Sequence, residues 1–277
     1  MSYKLIATDM DGTLLNSQNK ITDRNKKAIL EALEAGVKVI LCTGRIFTSA
    51  LYYAKTLKLD TPIIACNGAY IAEQDKSKII YEEPISIESF KKIVEIAEEE
   101  NMYYHFYDDS TFYARELNDT IMNYMNRNKE RDEMDRIDIR IVKNPLDTIK
   151  DENRKVYKIV FVDENREKLK RFREKISTIK GIEVASSWWS NVEVMNEGVS
   201  KGKALNKLCD MLNISMDEVI AIGDNENDIP MLKVAGLGIA MANGEGVAKD
   251  AADYIADTND ESGVGKIIEK FILKKDK

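Results

Sequence analysis

The feature that most constrains this chain is an alternation. Short apolar runs each end on a polar residue and are separated by helical patterns. "KLIAT" ends at Asp9, "VKVILCT" at Thr43 and "PIIACN" at Asn67. Between the first two lies "TDRNKKAILEALEAG", which opens on the capping residues Thr22 and Asp23. It spaces Ala28, Leu30 and Leu33 amphipathically and stops at Gly36. "IFTSALYYAKTLKL" reads as a second helix. The run "VKVILCT" is continuously apolar, as expected of a parallel strand buried on both faces. The β-α-β-α-β order predicts an α/β fold with an open parallel sheet and right-handed crossovers. Such sheets bind ligands beyond the carboxyl ends of their strands. Asp9, Thr43 and Asn67 are therefore expected around one crevice.

The rhythm breaks after Pro84. "IESFKKIVEIAEEEN" is an amphipathic helix, followed by hairpin-like "MYYHFY" and "TFYAR". Strand "KVYKIVFV", helix "ENREKLKRFREKISTIK", and strands in "IEVASSWWS" and "VEVM" come next. Short turns between strands suggest an antiparallel sheet with helices on one side. The α/β rhythm returns with helix "SKGKALNKLCDMLN", strand "EVIAIGD", helix "DIPMLKVA" and strand "GLGIAM". One domain, residues 1–83 and 191–277, is thus expected to be interrupted by an α+β unit at 84–190. Its connections are expected near Glu83–Pro84 and Asn191–Val192.

Bulk properties set the remaining limits. The chain is 44% apolar and 32% charged, ordinary for a globular protein and too hydrophobic for disorder. A net charge of −7 argues against a broad grip on nucleic acid, though local positive charge could hold a small anion. No run is long enough to span a bilayer, and no basic or apolar leader precedes "YKLIATD", so a cytoplasmic protein is expected. Cys42, Cys66 and Cys209 have no metal or redox spacing and read as buried reduced thiols.

Two acidic stretches stand out against this frame. In "ATDMDGTLLN", Asp9 and Asp11 share a face because strand side chains alternate, and a turn at Gly12 aims both at one space. Two such charges about 4 Å apart repel by roughly 4 kcal/mol at an effective dielectric near 20. A divalent cation would compensate them, magnesium being suited to oxygen ligands beside water and phosphate. The plainer reading is a solvated or capping pair. In "GDNENDIP", Asp224 again follows an apolar strand, with Glu226, Asn227 and Asp228 behind it. Helix capping is the alternative there. A calcium loop fits neither stretch, because the required glycine is misplaced. "TGR", Thr43–Arg45, joins a strand end to a helix start, where amides attract phosphate. Lys201, in "VSKGKAL", also precedes a helix. Singly, Arg45 and Lys201 read as surface charges; together, the order of acid pair, Thr-Gly, Lys-Gly and Gly-Asp-x-x-Asn-Asp places acids around a metal and a phosphate.

With those residues assembled, the chain resembles the haloacid dehalogenase superfamily. "DMDGTLL", "CTGR", Lys201 and "GDNEND" are similar to its four motifs. "NGAYI", "GVSKG" and "GIAMANG…AADYIADTNDESGVG" resemble the Cof-type branch of sugar-phosphate phosphatases. The resemblance implies a Rossmann-like core with an inserted cap that chooses the leaving group. It implies a Mg²⁺-dependent phosphatase of small phosphorylated metabolites, working as a monomer or small homo-oligomer. Asp9 would be the nucleophile that forms an aspartyl-phosphate, and Asp11 the general acid and then base. Mg²⁺ would be held by the Asp9 carboxylate, the Asp11 backbone carbonyl and Asp224. The Met10 amide, Thr43, Gly44, Lys201 and Asn227 would hold phosphoryl oxygens, with Asp228 and Arg45 in support. An acid at position 11 is what separates phosphatases and phosphomutases from dehalogenases and transport ATPases. A phosphomutase of the phosphomannomutase type is the related alternative. An aspartate-phosphorylated signalling module is a more distant one, disfavoured by the inserted unit. In the cap, "MYYHFY", Trp188 and Trp189 could touch substrate or simply pack, and His105 is expected to be structural or at the surface.

Overall fold

A computed structural model describes residues 3–129, 131–151 and 153–275. β1 (Leu5–Thr8), α1 (Asp23–Glu34), β2 (Lys38–Leu41) and α2 (Phe47–Thr56) follow the expected order. Thr22 caps α1, its hydroxyl accepting from the Asn25 amide. β3 (Ile63–Ala65), β4 (Tyr70–Ala72) and β5 (Ile79–Glu82) then form an antiparallel sheet of their own. The run "PIIACN" was expected inside the parallel sheet; instead β3 meets it through one isolated parallel bridge, Cys42 to Ile64. The reason is local. Asn67, at φ 58°, helps turn the chain straight back, so β4 takes the hydrogen bonds of β3.

A second layer follows, comprising α3 (Ile87–Glu99), β6 (Tyr104–Tyr107), β7 (Thr111–Ala114), α4 (Asp119–Lys129), β8 (Asp138–Ile141) and α5 (Pro145–Asp151). It continues through β9 (Lys158–Val162), α6 (Arg166–Ile176), β10 (Ile182–Ala185) and β11 (Asn191–Asn196). Six strands form one sheet in the order β10-β11-β9-β6-β7-β8, antiparallel except for β7 with β8. Residues 191–196, expected with the parallel core, belong to this sheet. β11 pairs with both β9 and β10, and Val192 and Val194 are buried among this layer's own apolar residues.

One face of the six-stranded sheet carries Tyr104, Phe106, Ile159 and Phe161 against Phe90 and Ile93 of α3 and Phe172 of α6. The other presents His105, Tyr107, Lys158, Val160 and Glu193 to a crevice. Helices were expected on one side only, yet Tyr124 of α4 packs on Phe112 of this second face, ring centroids 4.8 Å apart.

The chain then returns through α7 (Lys201–Leu212), β12 (Val219–Gly223), α8 (Ile229–Val234), β13 (Leu237–Met241), α9 (Gly246–Asp250), β14 (Tyr254–Ala256) and α10 (Gly263–Phe271). The parallel sheet runs β14-β13-β12-β1-β2. Its strands are buried on both faces: Ile6, Val39 and Ile220 belong to one apolar cluster, Leu5, Ile40 and Val219 to the other. The order of strands reverses between β1 and β12, which is where open α/β sheets form ligand crevices. Among the described residues, no helix is long and apolar enough to cross a membrane.

The seating of α7 is tight. A Cβ at Gly202 would lie 2.3 Å from the carbonyl oxygen of Pro230. Helix propensity alone would favour alanine by about 1 kcal/mol. Gly202→Ala is nevertheless expected to destabilise by about 1–3 kcal/mol, because backbone must shift. Urea unfolding decides the sign, and a stabilised variant would contradict this packing.

Candidate active site

The pairing of β1 with β12 brings together acids that lie more than two hundred residues apart in sequence. Thr8 sits opposite Ile222, and the Asp9 amide donates to the Ile222 carbonyl at 2.9 Å. Asp9 and Asp224 are therefore the first side chains past adjacent strand ends. Gly12, at φ +77°, completes the turn between them. A Cβ there would lie 2.4 Å from Asp224 Oδ2. Thr13 Oγ1 donates to Asp224 Oδ1 at 2.7 Å.

Lys201 closes this arrangement from the first turn of α7, which Ser200 caps. Its ammonium is 1% exposed and donates to Asp9 Oδ1 and Asp228 Oδ1, each at 2.6 Å. The second oxygen of Asp228 accepts from the amides of Asp224 and Asn225, at 2.8 and 3.0 Å. Asp228 thus anchors both the lysine and the acidic loop, and both of its oxygens are engaged.

Three buried carboxylates, Asp9, Asp224 and Asp228, have ligand atoms within 4.8 Å of one another, and Lys201 bonds Asp9 and Asp228 of the three. Burial is the main force on Asp9 and raises its pKa. Lys201 opposes, Asp228 and Asp11 add repulsion, and the carboxyl is pushed up to about 7. Burial, then Asp228 and Asp9, push Asp224 well above the usual carboxylate range. Burial alone would lower Lys201, but Asp228 and Asp9 hold it above the ordinary lysine value. Clustered hard oxygen donors with excess negative charge suit a small divalent cation. The side chain of Asp11 is not in this cluster, which leaves only its backbone for such an ion.

Instead Asp11 is held by Arg45. The guanidinium donates through Nε at 2.6 Å and Nη2 at 2.5 Å, one bond to each carboxylate oxygen. Arg45 is 6% exposed, whereas the Asp11 side chain is 54% exposed. Burial opposes the charge of Arg45, and Asp11 keeps its pKa above the ordinary value. The Arg45 amide also donates to Thr43 Oγ1 at 3.1 Å. Arg45, predicted as a support, is thus the direct partner of the expected acid–base group.

Asp9, Asp11, Gly44, Arg45 and Asn227 line a crevice of about 290 Å³. Lys201, Asp224, Asp228 and Thr43 stand behind that lining, bonded to it or to its neighbours. Met10 turns its side chain into the apolar core, so only its backbone can serve the crevice. Of the three strand ends expected around one crevice, Asp9 lines it, while Thr43 and Asn67 meet behind it, the Asn67 amide donating to the Thr43 carbonyl at 3.0 Å. All three cysteines are buried and free. Burial pushes their thiols up, so none is poised as a thiolate nucleophile.

The roof of the crevice comes from the second sheet; Tyr107 in "MYYHFY" and Trp188 were expected as possible contacts there, whereas Lys158 and Glu193 were not singled out from sequence. Glu193 Oε1 accepts from Lys158 Nζ at 2.9 Å and Ser187 Oγ at 2.8 Å, and its Oε2 accepts from Asn67 Nδ2 at 2.6 Å. Burial would raise Glu193, but Lys158 and the other donors hold it below the usual range. Asn227 Nδ2 in turn donates to Asn67 Oδ1 at 3.1 Å. Lys158 Nζ would lie 3.1 Å from a Cβ at position 44, and Asn67 Oδ1 2.7 Å, so glycine permits this approach. His105, expected to be structural or at the surface, is buried and stacked on Phe112 with ring centroids 4.5 Å apart, and it also lines the crevice. Its Nε2 meets the Tyr107 hydroxyl at 2.9 Å, while burial and Lys158 push its pKa down to about 3. Trp188 also lines the crevice, whereas Trp189 lies beneath the Arg166 guanidinium. The available signal was Lys158 and Glu193 interrupting the apolar strands "KVYKIVFV" and "NVEVMN".

The charge excess has a pH signature. The unfolded Asp9 carboxyl ionises near 3.8, the folded one at about 7. Between these values the folded state binds more protons, so stability falls as pH rises. Chelator-treated protein is expected to lose on the order of a few kcal/mol across that window. Asp9→Asn should remove this part of the slope, and a divalent cation at the upper end should restore wild-type stability. Urea midpoints that do not differ in slope between wild type and Asp9→Asn would contradict the account.

Comparison with known proteins gives consistent matches along the chain. The sequence profile described as haloacid dehalogenase-like hydrolase spans residues 6–268. A 5-amino-6-(5-phospho-D-ribitylamino)uracil phosphatase of Bacillus subtilis is 33% identical over 273 residues, covering 99% of this chain and 97% of its own. A pyridoxal phosphate phosphatase of Escherichia coli is 28% identical, covering 99% and 100%. The solved structure of a haloacid dehalogenase-like hydrolase from B. subtilis superposes with a TM-score of 0.87 at 29% identity, covering 97% of this chain and 100% of its own.

Proposed function

Because this chain belongs to the haloacid dehalogenase-like hydrolase family, we propose that it hydrolyses phosphate monoesters of small metabolites, with Asp9 as the phosphoryl acceptor. The observation that carries this reading is the placement of Asp9. It lies buried at the β1 end, with one oxygen held by Lys201 and Asp224 beside it. Two relatives of matching length are named for phosphate esters with heterocyclic leaving groups. The aromatic and polar roof of this crevice is compatible with ligands of that size.

In the proposed reaction Asp9 Oδ2, the oxygen not bonded to Lys201, attacks phosphorus. The bond to the leaving alkoxide breaks, and Asp11, once protonated and turned off Arg45, gives the alkoxide its proton. Asp11 then takes a proton from water, whose oxygen displaces Asp9 and frees inorganic phosphate. Splitting the hydrolysis in this way replaces one hard step by two easier ones. Lys201, the Met10 and Gly44 amides, Thr43 and Asn227 hold phosphoryl oxygens, since phosphoryl transfer needs positioning and charge neutralisation above all. Mg²⁺ fits the donor set of Asp9, Asp224 and the Asp11 carbonyl, and supplies further neutralisation of phosphoryl charge when bound. Residues from about 84 to 196 act as a cap over the reaction. Lys158, His105 and Tyr107 face the leaving group, and the cap excludes water.

Phosphate release from a panel of phosphorylated metabolites, with Mg²⁺ present, tests the activity. Asp9→Asn is expected to lower turnover by at least about 10³-fold with the fold intact, and Asp11→Asn by about 10²–10⁴-fold. Near-normal turnover in Asp9→Asn would refute the acceptor. Conversion of a sugar 1-phosphate to its 6-phosphate without phosphate release would instead identify a mutase. Chelation should abolish turnover and Mg²⁺ restore it; metal-independent activity would remove the cation from the scheme.

A further inference from the structure

Outside the crevice, one buried cation, Arg131, has no counter-ion among the described residues. Arg131 follows α4 and is 7% exposed. Its guanidinium carbon stacks 4.6 Å from the ring centroid of Tyr52 and 5.9 Å from that of Tyr53. Its Nη1 is buried without a hydrogen-bond partner. Among the described residues no carboxylate pairs with it. Burial, with the nearby charge of Arg45, holds its pKa below the ordinary value, while Tyr53 and Tyr52 oppose this. The contrast with Arg45 is direct. Both guanidinium groups are buried and stack on Tyr53, but Arg45 has the two oxygens of Asp11.

Aromatic faces compensate a buried guanidinium only in part, because a desolvated cation needs charge as well as polarisable surface. The missing charge has a place to sit. A cavity of about 500 Å³ adjoins Arg131, between the loop at residues 18–21, the start of α1 and the tyrosines of α2. Lys20 and Lys26 reach its wall from exposed positions, and Gln18 offers an amide. Asp23, the acid on that wall, is exposed at the start of α1 and makes no ion pair with Arg131.

We propose that this cavity is a second anion site, which takes a phosphate group onto Arg131 with Lys20 and Lys26 closing over it. A guanidinium donates charge-assisted bonds to phosphate oxygens, and two exposed ammonium groups at the mouth suit a ligand that exchanges with solvent. The volume admits inorganic phosphate or a small phosphate ester. Neither Arg131 nor the lysines take part in the reaction proposed above, so this site stands apart from it. An anion here would sit one tyrosine ring from the Arg45–Asp11 pair.

Calorimetric titration with inorganic phosphate tests the assignment. Wild type is expected to show a class of site that Arg131→Met deletes, while phosphatase turnover of that variant stays unchanged and reports its folding. The double variant Lys20→Ala/Lys26→Ala keeps the buried core intact and should weaken the same class about tenfold. The same titrations with glycerol 2-phosphate, on an Asp9→Asn background that cannot turn it over, separate an inorganic ligand from an esterified one. Phosphate binding that is identical in wild type, Arg131→Met and the double lysine variant would overturn the site.

Discussion

The ammonium of Lys201 is the contact on which the rest depends. It joins Asp9 at the end of β1 to Asp228 behind the acidic loop, with almost no access to water. Removing one partner of such a buried pair costs about 3–5 kcal/mol, a large part of the roughly 5–15 kcal/mol that holds a domain folded. One lysine still cannot balance three carboxylates. The site is therefore built with an excess of negative charge that the fold tolerates and that a bound divalent cation would offset. Burial first, and repulsion among the acids second, drive both Asp9 and Asp224 above the usual carboxylate range.

Two further bonds tie the crevice to the second layer. Glu193 accepts from Lys158 on its own sheet and from Asn67 at the end of β3, and Asn67 in turn receives Asn227. On the far side, Arg173 of α6 clasps Glu226 of the acidic loop, with Nη1 2.9 Å from Oε2. A change in how the upper layer sits must therefore disturb the loop that carries Asp224 and Asn227. Arg45 has a comparable effect on Asp11. The pair holds the exposed carboxylate of Asp11 against a buried guanidinium, with one bond to each of its oxygens.

Much of this was legible in the chain. Apolar runs closing on Asp9, Thr43 and "GDNEND" gave the strand ends, and strand ends in an open α/β sheet point to one crevice. What escaped were meetings decided by tertiary packing. "VEVM" was recognisable as a strand, but its sheet depended on partners in β9 and β10. β3 looked like another parallel strand because its three residues are as apolar as those of β2; the sharp return at Asn67 decided otherwise. Lys158, Glu193 and His105 carry no spacing signal, since their importance lies in facing residues that are distant in sequence. The bidentate grip of Arg45 on Asp11 likewise joins side chains 34 positions apart.

The central claim is that all of this charge is arranged to make Asp9 a phosphoryl acceptor. Acid-quenching the enzyme during turnover and reducing any acyl phosphate with borohydride converts the modified aspartate to homoserine, which peptide mass spectrometry can locate. The account predicts homoserine at position 9 and nowhere else. Homoserine at another aspartate, or none under conditions of steady turnover, would contradict it.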